Sequence, residues 1–146
     1  PNGGGVNPAF NGVIQRKLAL LDNQVGKLEA NLRGVKAEEF VGDWVLRSMA
    51  ERAVQVAAEI VIDIAERIIA IKGAGPAATA AEAINKLVDL GVLKSAEPYV
   101  SIVRFRNLIV HHYEEIDPAL LFDLVTHRLN DFRLFRGEID NAARAE

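Results

Sequence analysis

Residues 37–72 read AEEFVGDWVLRSMAERAVQVAAEIVIDIAERIIAIK, and this stretch decides the fold. Apolar residues such as Val45 and Ile64 occupy most of its helical circumference. A helix that is apolar nearly all round has to be buried, so we expect it at the centre of the molecule. It is predicted to begin around Ala37–Asp43 and to run to Lys72, where glycines and a proline follow.

Four amphipathic helices are expected around this central one, because apolar residues recur at steps of three and four in the rest of the chain. They are helix one from Ile14 to about Arg33, helix three from Ala80 to about Leu90, helix four from its cap Ser95 to about Tyr113, and helix five from Pro118 to about Gly137. No stretch alternates as a strand does. The short connections predict an all-α, up-and-down bundle of about five helices.

The length of 146 residues predicts one domain, residues 13–146, preceded by a flexible leader, residues 1–12, that is rich in glycine, proline and asparagine. The chain has no cysteine, which excludes disulfides, zinc–thiolate sites and a cysteine nucleophile. We find no signal peptide and no apolar stretch of membrane-spanning length, so a soluble, cytoplasmic protein is expected. The apolar surface exceeds what one small bundle hides, which predicts a homodimer.

Residues 104–117, RFRNLIVHHYEEID, bring together arginine, an amide, two imidazoles and a phenol. On a helix Arg106 and Tyr113 share a face, and Asn107 can contact His111 one turn later. These groups suit the cleavage of RNA without a metal ion or cofactor. Histidine can transfer the proton of a ribose 2′-hydroxyl, and arginine can stabilise the phosphate as charge develops.

One histidine cannot easily serve as both base and acid, so a second copy facing the first across a dimer would supply the other imidazole. Either His111 or His112 could formally act, and we favour His111 for its spacing to Arg106 and its pairing with Asn107. The alternative is that these side chains are ordinary surface groups on an amphipathic helix. The net charge of −3 offers no general attraction to nucleic acid, so the site would have to be local.

The segment Arg106–Tyr113 resembles the R-x4-H-x-Y motif of the HepT toxins, a branch of the HEPN (higher eukaryote and prokaryote nucleotide-binding) ribonucleases. Three further segments are similar to the family's pattern in the same order: Glu59–Ala65 on the central helix, Leu87–Val92, and Tyr113–Pro118. The likeness covers most of residues 37–136. It implies a HEPN-like, homodimeric helical bundle.

The resemblance implies a function as well. The protein would be the toxin of a type VII-like toxin–antitoxin system, an endoribonuclease whose site lies between two subunits. Arg106 and His111 match the catalytic pair, and Asn107 the amide that follows the arginine. Tyr113 matches the tyrosine to which an MntA-type nucleotidyltransferase antitoxin attaches AMP.

Two sets of charged residues each have two alternative places in this scheme. Glu59 and Asp63 would line the wall of the site, or else form the solvated edge of the central helix. A row of cations could hold the RNA backbone, or be only a solvated face: Arg104, His127, Arg128, Arg133 and Arg136. A different class of function also stays open, in which the bundle is a non-catalytic module that binds a nucleotide or a nucleotidyltransferase.

Overall fold

The computed structural model describes residues 10, 12–112, 114 and 116–145. Within these ranges the regular elements are seven α-helices: α1 (Gly12–Leu32), α2 (Ala37–Gly42), α3 (Trp44–Ile71), α4 (Ala80–Asp89), α5 (Tyr99–His111), α6 (Pro118–His127) and α7 (Asn130–Ala145). The predicted all-α class is confirmed. None of the described helices is both long enough and apolar enough to cross a membrane.

The helix α3 lies at the centre, as its apolar circumference predicted, and each of the other six helices contacts it. Five of its buried residues are alanines: Ala50, Ala53, Ala57, Ala58 and Ala65. Small side chains at a contact allow neighbouring helices to approach closely, because the distance between helix axes depends on the residues that separate them. The sequence of α3 therefore permits packing on several sides at once.

The predicted central helix is wrong at its start, where the structure has two helices instead of one. Asp43 leaves helical geometry, with φ −116° and ψ 100°, and its carboxylate accepts hydrogen bonds from the N–H groups of Val45 and Leu46 at 3.0 and 3.1 Å. An aspartate that caps the first turn in this way separates the short α2 from α3. Trp44 then faces solvent with 68% of its surface exposed.

The region predicted as helix five is also divided into two helices, α6 and α7. The two divisions together account for seven helices where about five were predicted. The chain bends at Arg128, whose φ of −119° is not helical and whose Nε donates to Asp131 Oδ2 at 3.1 Å. The bend leaves Leu129 and Phe132 buried, so the apolar seam continues through it while the direction of the chain changes. The second part, α7, extends well past Gly137 to Ala145.

The start of α5 also differs from the prediction. Ser95 does not cap the helix, because its hydroxyl donates to the carbonyl oxygen of Glu97 and the helix begins only at Tyr99. Two other predicted helix starts, at Ala80 and at Pro118, are confirmed. Thr79 accepts a hydrogen bond from the N–H of Glu82 at 3.0 Å, and Asp117 starts α6 in the same manner.

The helix α1 buries the predicted seam with the residues Ile14, Leu18, Leu21, Val25 and Leu28. Of the predicted leader, residues 1–9 and 11 lie outside the described residues. Phe10, however, is buried in the core, and Gly12 already belongs to α1. Packing of the chain therefore begins before residue 13.

Candidate functional site

Three of the predicted functional residues, Arg106, Asn107 and His111, lie on α5, and the helix divides them between two faces. Its buried residues are Tyr99, Ile102, Val103, Phe105 and Ile109. Arg106 lies within this apolar face, one turn after Ile102 and Val103 and one turn before Ile109. The arginine is half-buried as a result.

One hydrogen-bond donor of the Arg106 guanidinium, the Nε–H group, has no partner among the described residues. Its Nε is buried, and no group in the described part of the chain accepts a hydrogen bond from it. Buried side-chain donors are normally paired, because an unpaired one loses its water without replacement. Arg106 is therefore a cation set into the packed face of α5, with a buried Nε that has no partner among the described residues.

Asn107 and His111 lie on the opposite, exposed face of α5. His111 ends the helix, about 140° around the axis from Arg106. The predicted hydrogen bond between Asn107 and His111 is not present among the described contacts, although the two residues are one turn apart. His112 leaves helical geometry, and its N–H donates to the carbonyl oxygen of Leu108 at 2.8 Å. Tyr113 lies outside the described residues.

Glu59 and Asp63 follow a partly exposed edge of α3, and their contacts are with α1 and α3. Glu59 accepts a hydrogen bond from Gln55 at 3.3 Å. Asp63 pairs with Lys17 of α1 at 2.5 Å and with Arg67 at 3.2 Å. Burial raises the pKa of Asp63, but the hydrogen bonds and charges of the two cations outweigh it and lower this pKa overall. Neither carboxylate bonds to a described residue of α5.

One notable carboxyl group of α3 was not predicted from the sequence. Burial raises the pKa of the half-buried Glu51, and the nearby charge of Arg47 only partly opposes this. Nothing in the neighbouring sequence distinguishes Glu51 from the other glutamates of the helix, because burial by other helices decides its environment. In the part of the chain that the structure describes, no three His, Asp or Glu side chains form a group that could hold a metal ion.

The predicted cation row on α6 and α7 is occupied by ion pairs. Arg133 makes two contacts with Glu29 of α1, at 2.8 and 3.1 Å. The hydrogen bond from Arg133 and its charge lower the pKa of Glu29. Arg136 bridges Asp22 of α1, at 3.1 Å, and Asp140, at 2.7 Å.

The two cations at the turn between α6 and α7 are paired as well. His127 Nδ1 lies 3.0 Å from Asp123, and Arg128 lies 3.1 Å from Asp131. All four cations between the end of α6 and the middle of α7 that were predicted to face RNA thus have carboxylate partners. These pairs stand against an RNA-binding role for these four residues. The fifth member of the predicted row, Arg104, lies on α5 and pairs with Glu97 at 3.4 Å.

The chain matches known sequences over most of its length. A family model described as "Ribonuclease HepT-like" matches residues 21–139, which include the whole motif segment. The "tRNA nuclease HepT" of Aphanizomenon flos-aquae is 23% identical over 131 residues, and the match covers 88% of this chain and 88% of that protein.

Solved structures show the same fold. A tri-AMPylated HEPN toxin of Shewanella oneidensis in complex with MNT antitoxin has a TM-score of 0.82 at 22% identity, covering 90% of this chain and 98% of that one. A toxin–antitoxin structure with AMP-PNP has a TM-score of 0.81 at 23% identity, covering 88% and 98%. At these identities the likeness establishes the fold alone, and the predicted HEPN-like bundle is confirmed.

Proposed function

This chain belongs to the HepT-like ribonuclease family and is an endoribonuclease, and from that premise we propose that it is the toxin of a type VII-like toxin–antitoxin system. It would act in the cytoplasm as a homodimer that cleaves RNA without a metal ion. The observation that supports this most is Arg106, a half-buried cation whose buried Nε has no partner among the described residues, five residues before the exposed His111. The solved toxin–antitoxin structures of the same fold support the pairing with an antitoxin.

The proposed reaction is a transesterification within the RNA strand. The ribose 2′-oxygen attacks the adjacent phosphorus as a histidine removes its proton, and the bond from phosphorus to the 5′-oxygen breaks. A second histidine gives a proton to that leaving oxygen. The products are a 2′,3′-cyclic phosphate and a 5′-hydroxyl. Arg106 would bind the phosphate and stabilise its charge, and each histidine would contribute about 10² to 10⁴ in rate.

The site is proposed to be completed by a second copy of the chain. Arg106 lies on the packed flank of α5, whereas His111 faces solvent at the helix end. A chain by itself supplies Arg106 and one imidazole at position 111, but the reaction needs both a base and an acid. Two α5 helices that meet at these ends would place two arginines and two histidines around one phosphate. Asn107 would then orient one imidazole within the closed dimer.

Neutralisation is proposed to occur by transfer of AMP to Tyr113 from an MntA-type nucleotidyltransferase antitoxin. Tyr113 follows His111 by two positions in the sequence. AMP would add bulk and a negative phosphate beside the histidine, where it would repel RNA and offer Arg106 an anion to bind. The tri-AMPylated state of the Shewanella oneidensis HEPN toxin supports this mode of control.

Glu59 and Asp63 are proposed to support the site in different ways. Glu59 is half-buried and has a single, long hydrogen bond, so it remains available to the wall of a closed site. Asp63 is held by two cations, and its support would be to fix α1 against α3. The name of the relative from Aphanizomenon flos-aquae makes transfer RNA the first substrate to test.

The experiment is cleavage of transfer RNA by the purified protein in the presence of a chelator. The protein as purified should produce 2′,3′-cyclic phosphate ends, and His111→Ala should lose activity while it remains folded. His127→Ala is the matched control, because His127 is also an exposed histidine at the last position of a helix. His112→Ala tests the other imidazole of the motif and should retain most activity.

Two results would overturn the proposal. Cleavage that stops when divalent ions are removed would contradict the metal-independent mechanism. Full activity of both His111→Ala and Arg106→Ala would remove the proposed site. If the protein binds the nucleotidyltransferase but shows no cleavage at any pH, the non-catalytic binding module takes its place.

A further inference from the structure

The exposed face of α5 carries a second arginine. Arg104, Asn107 and His111 are three and seven residues apart, and they lie within about 60° of one another around the helix axis. The side chain of Arg104 is 68% exposed. This face therefore presents a cation, an amide and an imidazole in one line.

The ion pair of Arg104 is unlike those on α6 and α7. Its guanidinium makes one contact with Glu97, at 3.4 Å, and the Glu97 side chain is itself 56% exposed. By contrast, Arg133 holds Glu29 with two contacts no longer than 3.1 Å. A single long contact between two exposed groups is weak, because water and salt screen it.

Glu97 is fixed in place without Arg104. Its Oε1 accepts hydrogen bonds from the hydroxyl and the N–H of Ser101, at 2.6 and 3.2 Å. The hydrogen bond from the Ser101 hydroxyl is the largest cause that lowers the pKa of Glu97, and Arg104 contributes less. The carboxylate is therefore anchored by serine, and the arginine can leave it without disturbing the loop.

We propose that Arg104 binds a phosphate of the RNA strand next to the one that is cleaved, and that Glu97 competes with RNA for this arginine. The proposal rests on the proposed function and names a further substrate contact of the same site. Arg104 precedes His111 by about 10 Å along the helix axis, so a strand that follows this face would place a neighbouring phosphate over it. Phosphate can replace the carboxylate because arginine binds either of them through paired N–H groups.

The test measures binding, so that it does not depend on cleavage. The affinity for a fluorescent single-stranded RNA is measured at several salt concentrations in the His111→Ala protein. The same measurement is made on His111→Ala proteins that also carry Arg104→Gln, Glu97→Gln or both substitutions. Arg104→Gln should weaken binding by about threefold to fivefold and reduce the slope of log affinity against log salt by about 0.7, the share of one phosphate contact. Glu97→Gln should strengthen binding, and the double variant should bind like Arg104→Gln alone.

Two further variants separate a phosphate contact at Arg104 from a general loss of positive charge. Arg128→Gln, which removes an exposed arginine that pairs with Asp131 at 3.1 Å, should leave binding and slope unchanged. Arg104→Lys keeps the charge and should recover the salt slope but only part of the affinity, because lysine lacks the paired N–H groups, whereas a merely structural role would restore neither. Equal losses in Arg104→Gln and Arg128→Gln would overturn the proposal. So would a gain from Glu97→Gln that persists without Arg104, because it would reflect only the removal of negative charge.

The failure of this proposal and the failure of the proposed function give different results. Absence of cleavage by the unmodified protein, together with the expected pattern at Arg104 and Glu97, would overturn the ribonuclease mechanism and keep the RNA contact. Normal cleavage with no change of affinity in Arg104→Gln would overturn the contact and keep the mechanism.

Discussion

Arg106 of α5 and the arginines Arg133 and Arg136 of α7 have opposite surroundings in the same acidic chain. Arg133 and Arg136 connect α7 to α1 through short contacts with Glu29 and Asp22. Arg106 has a buried Nε that no described group accepts from. The first two cations connect helices through ion pairs, whereas the Nε of Arg106 has no such partner among the described residues. The number of arginines on a helix therefore says little about where a polyanion binds.

The largest expected effect follows from removing one arginine of each kind. Arg106→Ala should reduce kcat/KM for RNA by about 10² to 10³, because it removes a donor that stabilises developing charge. Arg133→Ala should leave kcat/KM within about twofold, because that guanidinium is occupied by Glu29. Cleavage kinetics on the same transfer RNA measure both.

Thermal unfolding of the same two proteins supplies the control. Arg106→Ala should change the Tm only slightly, because the removal of a buried donor without a described partner offsets the lost packing of the arginine methylene groups. If Arg106→Ala unfolds far below Arg133→Ala, then Arg106 is a structural residue and the contrast between the two regions disappears.

A helix cap outside α5 and α7 shows how much stability a substitution with a purely structural effect removes. Asp43→Ala should lower the free energy of unfolding by about 1 kcal/mol, and the Tm by about 4 °C, because α3 loses the carboxylate that accepts two N–H groups of its first turn. Calorimetry measures this loss. Asp43→Asn keeps the capping oxygen and should recover most of it. A reduction of RNA cleavage by Asp43→Ala at a temperature where the protein is fully folded would contradict the separation of fold and site.

The ion pair of α7 should contribute less than the cap. Arg133→Ala is expected to lower the Tm by about 2 °C at low ionic strength, and the difference should nearly vanish in about 1 M salt, because the pair is exposed and screened. A loss that is independent of salt would mean that the arginine acts through packing of its methylene groups instead.

The smallest expected effect is the pH dependence of that difference. Arg133 lowers the pKa of Glu29 below its ordinary value of 4.5. The stabilisation is then fully present above pH 4.5 and is lost as the pH falls through the lower value of the folded protein. The Tm of Arg133→Ala should therefore converge on that of the unmodified protein as the solution is acidified. A difference that grows below pH 4.5 would contradict this linkage.

Much of the fold could be predicted because its signals are local. The steps of three and four from Ile14 to Leu28 require no knowledge of other helices, and the centrality of α3 follows from its own composition. The breaks at Asp43 and Arg128 were missed for a physical reason. In both places the apolar pattern of the sequence continues through the break, so periodicity alone predicts one helix. At each break an acidic side chain accepts a hydrogen bond, from a backbone N–H group at Asp43 and from the guanidinium at Arg128.

The site could be predicted in its residue types but not in its surroundings. The spacing of Arg106 and His111 is written in the sequence, as is the face on which each lies. The partners of the other arginines are not, because Glu29 is 104 residues from Arg133 and Asp22 is 114 residues from Arg136. Only the packing of α1 against α7 determines which cations are neutralised.

A dimer with one altered subunit tests directly whether two chains share one catalytic site. Unmodified and His111→Ala chains with different affinity tags are expressed together, and the mixed dimer is isolated and tested on transfer RNA. If both histidines serve one site between the subunits, the mixed dimer should cleave nearly as slowly as the His111→Ala dimer. Its cleavage rate should be lower than that of the unmodified dimer by a factor of about 10² or more. Half of the unmodified activity would show that each chain carries a complete site, and would contradict a site shared between the two subunits.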